Sequence, residues 1–305
     1  MKNGDTKQKI LVIVGPTAVG KSALAVTLAR KLGGDIISAD SRQVYHGLNI
    51  GTGKITKKEM RGVPHHLLDV ADPKKQFTVA DYHRMARAKI SAIFSRGKLP
   101  IIVGGTGHYI DAALGRIIIP EVLPNPALRK ELDKKSTSEL FTMLQKLDVF
   151  RARTIDPHNP RRLVRAIEIA YANSVHTPPP DVDSLQTSGS AIWLGITLPP
   201  AELKKKISMR LFVRISRGMI REVKNLHARG LSWKRMESIG LEYRYLSRYL
   251  RGLMTKEEMI EKLQTEIYRY AKRQMTWFKR NKEIKWFRPS QKSQIFAMLK
   301  SVLGD

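Results

Sequence analysis

Residues 15–22 read Gly-Pro-Thr-Ala-Val-Gly-Lys-Ser, a spacing that can hold a phosphate group. The two glycines permit turns that side chains would block, so successive N–H groups can point inward at phosphate oxygens. A helix starting here adds partial positive charge, Lys21 a full one, and Ser22 a hydroxyl for a bridging magnesium ion. Gly15, Pro16, Thr17, Ala18, Val19, Gly20, Lys21 and Ser22 are therefore expected to form one phosphate cradle, although the pattern does not say whose phosphate. Two further residues suit chemistry beside it. Asp40 closes an apolar run, and a carboxylate there can take a proton or hold a metal. Thr106, within Gly104-Gly105-Thr106-Gly107, can offer a hydroxyl and nearby N–H groups to a phosphate or an acceptor. A P-loop ATPase needs a second acidic residue after an apolar strand. The run at 99–103 ends instead in Gly-Gly-Thr, which leaves Asp40 as the acid best placed at a strand end.

The elements that must carry these groups alternate. An apolar run at 9–14 predicts a strand, 22–32 a helix stopped by Gly33-Gly34, and 35–39 a second strand leading to Asp40. Val79, Tyr82, Met85, Ala86, Ile90 and Ile93 recur at helical spacing across 78–96, and 99–103 predicts a buried strand. This order implies an α/β fold, a P-loop NTPase-like parallel sheet flanked by helices. Ligands of open parallel sheets lie beyond the carboxyl ends of the strands, so the loop, Asp40 and Thr106 should share one crevice. From residue 117 the texture changes. Pro120, Pro124 and Pro126 punctuate a linker, helical patterns follow at 127–134, 136–148 and 160–173, and 176–184 reads as a loop. We therefore expect an all-helical insertion domain at 118–186, set into a core domain of 1–117 and 187–305. The core should regain a strand at 191–196 and be mostly helical over 201–280. Asn159 and Pro160 predict a helix start that places Arg161 and Arg165 on one face with Arg162 nearby. His65 and His66 would point to opposite faces of a strand and lack a third ligand at suitable spacing, which argues against a metal site.

Composition narrows the class. In 305 residues, 42% are hydrophobic and 27% charged, as in a soluble globular protein. No stretch approaches the roughly 20 apolar residues of a membrane span, and the N-terminal apolar run is too short for a signal peptide. A cytoplasmic location is expected. The absence of cysteine excludes disulfides and thiolate chemistry. The charge is +28, and between Lys204 and Lys285 there are 23 Lys and Arg against 8 Asp and Glu. Such an excess points to a polyanion, most simply a nucleic acid. Lys272-Arg273-Gln274-Met275-Thr276-Trp277-Phe278-Lys279-Arg280 mixes cations and aromatics in a way that suits phosphate contacts with base stacking. Trp277 and Phe278 fit a helix core equally well.

Taken together, these segments resemble the tRNA dimethylallyltransferase family of bacterial type. The resemblance rests on 15–22, Asp40-Ser41-Arg42-Gln43-Val44-Tyr45, Gly51-Thr52-Gly53-Lys54, Pro64-His65-His66-Leu67-Leu68-Asp69, Val103 to Tyr109, Asn159-Pro160-Arg161-Arg162, Gly240-Leu241-Glu242-Tyr243 and Ala271-Lys272-Arg273-Gln274. It spans about residues 9–288 and implies the following roles. Dimethylallyl diphosphate lies on the loop, with Mg2+ at Ser22 and with Lys21 and Arg210 on the leaving group. Asp40 takes the proton from N6 of the adenosine 3′ to the anticodon, and Thr106 sits near that acceptor. Ser41, Arg42 and Gln43 hold the flipped base. Arg129, Arg161, Arg162, Arg165, Lys272, Arg273 and Gln274 grip the anticodon stem-loop. A monomer is expected.

Some positions depart from the family pattern. Ile267-Tyr268-Arg269-Tyr270 stands where Thr-Arg is common, Arg214 where Met is common, and 173–180 lacks a Gly-Lys before proline. Three other functions remain open at this point. An adenylate isopentenyltransferase acting on AMP or ATP would not need the basic segment. A P-loop small-molecule kinase lacks its second carboxylate here. A non-catalytic RNA-binding module would not need Lys21, Ser22, Asp40 and Thr106 together.

Overall fold

The computed structural model describes residues 8–120, 122–172 and 189–303. By contacts the chain divides into two compact units, Met1–Arg116 with Gln186–Asp305, and Ile117–Leu185. The loop expected at 176–184 and the sequence departure at 173–180 lie outside the described residues.

The larger unit is built on a six-stranded sheet in the order β3-β2-β4-β1-β5-β6. Its strands are β1 (Gln8–Val14), β2 (Gly34–Ala39), β3 (His65–His66), β4 (Leu99–Gly104), β5 (Gly189–Ile196) and β6 (Lys285–Phe287). All pairings are parallel. Ile10 to Val14 are all buried, as an inner strand covered on both faces requires, and Val12 sits between Ile102 and Trp193 in register. Among the helices, α1 (Lys21–Leu32) follows the first loop and ends on Gly33 in the left-handed conformation. A short α2 (Lys57–Met60) precedes β3. Next, α3 (Val79–Phe94) starts on a Thr78–Asp81 capping box and buries Tyr82, Ala86, Ile90 and Ile93. The α4 helix (Gly107–Ala113) starts directly after Thr106.

The strand expected to carry His65 and His66 is present as β3, whereas β6 was not expected, because three residues are too brief to show alternation. In β3, His66 Nε2 lies 3.3 Å from Asp35, which is fully buried and also receives Arg96 and Lys98. Burial alone would raise the Asp35 pKa, but the hydrogen bonds from Lys98 and His66 hold it below the usual carboxylate value. His65 bonds the Val63 carbonyl.

The smaller unit contains α5 (Pro126–Leu132), α6 (Thr137–Leu147), α7 (Val149–Thr154) and α8 (Pro160–Ala172). It has its own core of Leu132, Leu140, Leu144, Ala152, Leu163, Val164, Ala166 and Ile167. The helix expected at 136–148 is present as α6, and α7 follows it unexpectedly as a separate helix, because Asp148 leaves helical geometry and caps α7 through the Arg151 N–H. Asn159 caps α8, its side chain accepting from the Arg162 N–H.

The rest of the larger unit is α9 (Pro200–Ser216), α10 (Met219–Ala228), α11 (Trp233–Ile239), α12 (Leu241–Leu250), α13 (Lys256–Phe278) and α14 (Lys292–Leu303). No helix among the described residues is long and apolar enough to cross a membrane.

Candidate active site

Strand order brings the three sequence signals together. Because β4 lies between β1 and β2, the residues after their carboxyl ends follow in the order Asp40, Thr106, P-loop. The loop itself needs its glycine at 15. With φ +139 there, an added Cβ would sit 2.1 Å from the Ile196 carbonyl oxygen. Ala18 and Gly20 are also left-handed, and Gly20 opens α1 without a side-chain cap, so the first amides of α1 stay free for an anion.

Lys21 is half-buried and its Nζ donates to the Pro16 carbonyl, 2.7 Å away, folding the side chain back over the loop. Burial, then repulsion from Arg210, lowers its pKa to about 7, partly opposed by the Asp40 carboxylate. Arg210, on α9, reaches over Gly53, where a Cβ would come within 3.0 Å of its guanidinium. Lys21 and Arg210 thus place two mutually repelling cations beside the cradle. Ser22 is exposed in the first turn of α1, and its hydroxyl has no acceptor among the described residues.

On the acceptor side, Asp40 Oδ1 accepts the Arg42 N–H at 2.8 Å and the Gln43 N–H at 3.3 Å. This fixes the carboxylate and leaves Oδ2 unbonded among the described residues. Thr106 joins β4 to β2: its N–H donates to the Ala39 carbonyl at 3.1 Å, and its Oγ1 accepts from the Ser41 N–H at 3.2 Å. Arg42 is exposed and packs against Gly240, while Gln43 lies 3.5 Å from the Thr52 carbonyl.

Several supporting residues carry no sequence signal. The Glu222 carboxylate on α10 accepts the N–H groups of Asn49, Ile50 and Gly51 and the hydroxyl of Tyr243. Arg214 donates to the Ile50 carbonyl and to Glu242. These contacts hold the loop on which Arg210 rests. They also explain Gly51, where a Cβ would meet the Tyr243 hydroxyl at 2.5 Å. The Tyr270 hydroxyl on α13 lies near Thr106, and burial, then the charge of Asp40, raises its pKa to about 12.

The structure revises three expectations and settles the open reading of Trp277 and Phe278. The Thr17 N–H does not face the cradle but donates to Gln274 Oε1 at 2.8 Å. Gln274, expected to grip RNA, is only 6% exposed and lies between two loops of the site. Phe278 is core, and Trp277 donates to Asp111 with Arg280 stacked 4.1 Å from its ring centre, so neither is free to stack a base. In the smaller unit, Arg129 and Arg165 are both committed to Glu168, which is 2% exposed and also accepts the Asn125 N–H. Arg161 and Arg162, in contrast, are exposed at the start of α8, as Lys272 and Arg273 are on α13.

Comparison with known proteins identifies the family. A family described as IPP transferase matches residues 43–281. The chain is 40% identical to a tRNA dimethylallyltransferase of Anoxybacillus flavithermus over 92% of this chain and 90% of the relative. It is 39% identical to that of Bacillus subtilis over 93% and 91%. A crystal structure of a tRNA isopentenylpyrophosphate transferase from Bacillus halodurans matches with a TM-score of 0.73 at 36% identity, covering 98% of this chain and 96% of that one. A eukaryotic dimethylallyltransferase acting on tRNA matches with a TM-score of 0.80 at 26% identity, over 94% and 75%.

Proposed function

The chain belongs to the IPP transferase family, and from that premise we propose how its residues carry out the reaction. The enzyme transfers a dimethylallyl group from dimethylallyl diphosphate to N6 of an adenosine in tRNA and releases diphosphate. The observation that carries our residue assignment is the adjacency of Asp40, Thr106 and the P-loop across neighbouring strands.

The diphosphate lies on the amides at the start of α1, with Lys21 and Arg210 on its oxygens. As the bond from the allylic carbon to oxygen breaks, negative charge grows on the departing oxygen, and these fixed cations stabilise it without rearranging. The N6 lone pair of adenine is delocalised into the ring and attacks poorly unless its proton has somewhere to go. The free Oδ2 of Asp40 receives that proton as the new carbon–nitrogen bond forms, a general-base contribution of about 10²–10⁴-fold. Asp40 Oδ1, held by two backbone amides, keeps the carboxylate aimed. Thr106, Ser41, Arg42 and Gln43 bind the acceptor base, turned out of its stack to reach this depth.

Ser22 would hold a magnesium ion beside the diphosphate. Its hydroxyl is unused, and no group of three or more acidic or histidine side chains lies among the described residues to form an all-protein site. Bound there, Mg2+ neutralises charge on the diphosphate. Arg161, Arg162, Lys272 and Arg273 contact the backbone of the anticodon stem-loop, and 118–186 acts as an RNA-contacting insertion. The enzyme works as a cytoplasmic monomer.

The test supplies labelled dimethylallyl diphosphate with tRNA, AMP or ATP and follows label and diphosphate. Label on tRNA at the adenosine 3′ to the anticodon is expected. Label on AMP or ATP but not tRNA overturns the acceptor, and γ-phosphate transfer from ATP overturns the donor.

A further inference from the structure

We propose that Gln274 is a positioning residue that sets the spacing between the donor loop and the acceptor side of the site. This rests on the reaction proposed above for its consequence, though not for its geometry. The backbone pairing of β1 with β4 ends at Ile13 and Val103. Beyond it the two chains separate into the P-loop and the Gly105–Thr106 turn. No hydrogen bond between these two segments is present among the described residues, except through Gln274. Its Oε1 accepts the Thr17 N–H at 2.8 Å, and its Nε2 donates to the Gly105 carbonyl at 2.9 Å. The side chain serves as one more rung of the ladder, supplied by a helix from the far end of the chain.

Chemistry restricts this place to a primary amide of glutamine length. A donor and an acceptor are needed at opposite ends of one planar group, and Gln has both. The site is also moulded around it, since a Cβ on Gly105 would lie 2.0 Å from Gln274 Nε2. From Gly105 the constraint passes to Thr106, which is tied to Ala39 and Ser41 on either side of Asp40. One turn earlier on α13, Tyr270 is likewise turned inward, near Thr106 and Asp40. Lys272 and Arg273 lie between these two inward residues in sequence and face solvent. The helix assigned to RNA therefore also determines how far the base-binding groups stand from the diphosphate. Displacement at an allylic carbon is sensitive to such distances, because about 1 Å of misplacement costs about 10²-fold in rate.

The experiment has two arms, both on the full chain. In the first, amide hydrogen exchange at Thr17 is compared between the wild type and Gln274→Met without substrates. Loss of protection at Thr17, with unchanged exchange in β1, is expected; unchanged protection at Thr17 overturns the strut. In the second, single-turnover prenyl transfer to tRNA is measured for the wild type, Gln274→Met and Gln274→Glu. For Gln274→Met we expect about a 10²-fold lower rate, with affinity for inorganic diphosphate and for tRNA within about threefold of the wild type. Gln274→Glu separates positioning from simple packing. As a carboxylate it repels the Gly105 carbonyl, and as a carboxylic acid it donates to it. Its rate relative to the wild type should rise by up to about tenfold per unit as pH falls. A Gln274→Met rate near that of the wild type, or a pH-independent Gln274→Glu ratio, overturns the positioning role. Wild-type protein that leaves tRNA unmodified overturns the proposed function instead, and the exchange arm still decides the strut.

Discussion

Replacing Lys21 by arginine should remove a pH dependence that the wild-type loop is built to show. In the free protein, burial and the nearby Arg210 lower the Lys21 pKa to about 7. Half of the molecules near neutral pH therefore present an uncharged amine to the ligand. A bound diphosphate restores the charge, so binding takes up a proton above pH 7. With a free pKa of about 7 and a bound value near or above the ordinary lysine value, the association constant should fall about 16-fold from about pH 7 to about pH 8.5. The ligand cannot mimic this, since it only gains negative charge over the same range. An arginine stays protonated throughout. Isothermal titration of inorganic diphosphate at constant ionic strength, in two buffers of different ionisation heat, reads both the affinity and the proton uptake. A flat wild-type profile, or parallel profiles for wild type and Lys21→Arg, would refute the reasoning.

The same shift has a stability consequence of determined sign. The folded pKa lies below the unfolded value of 10.5, so the penalty is complete below pH 7 and is released as pH rises from 7 toward 10.5. The wild type should gain stability relative to Lys21→Met across that window, as read by urea unfolding.

Three further outcomes can be checked. Asp40→Asn keeps a carbonyl oxygen for the Arg42 and Gln43 amides but loses the proton acceptor, so turnover should fall about 10²–10⁴-fold while tRNA affinity changes little. An equal loss of both, by filter binding and single-turnover assay, would make Asp40 a binding group. Glu168→Ala leaves Arg129, Arg165 and the Asn125 N–H without their shared buried acceptor and should destabilise the 117–185 unit by about 1–3 kcal/mol, seen as an early denaturant transition. The logarithm of tRNA affinity should fall steeply and linearly with the logarithm of salt, and the Arg161→Ala/Arg162→Ala double variant should lower that slope by about one to two. A slope unchanged in the double variant would remove these two residues from the RNA contact.

The cradle at 15–22, the strands at 9–14, 35–39 and 99–103, and the helices α5, α6 and α8 were legible because their causes are local. A glycine turn, an apolar run or an Asn-Pro cap acts over a few residues. Asp40 and Thr106 were legible for a related reason, since parallel strands place the residues after their carboxyl ends on one edge. The short β6 escaped because three residues carry no period. The roles of Glu222, Tyr270 and Gln274 escaped for another reason. Thr17 and Gln274 stand 257 positions apart and meet through packing of α13 against other helices, α4 and α9 among them. Reading the Lys272-Arg273-Gln274 run alone gave all three residues one task, yet the 100° turn between helical neighbours sends two to solvent and one into the site. The same limit applied to Arg129 and Arg165, whose charge is spent on a carboxylate that folding buries between them. Residue types and spacing set which chemistry this chain can perform; burial and long-range hydrogen bonding set which of its polar groups remain free to perform it.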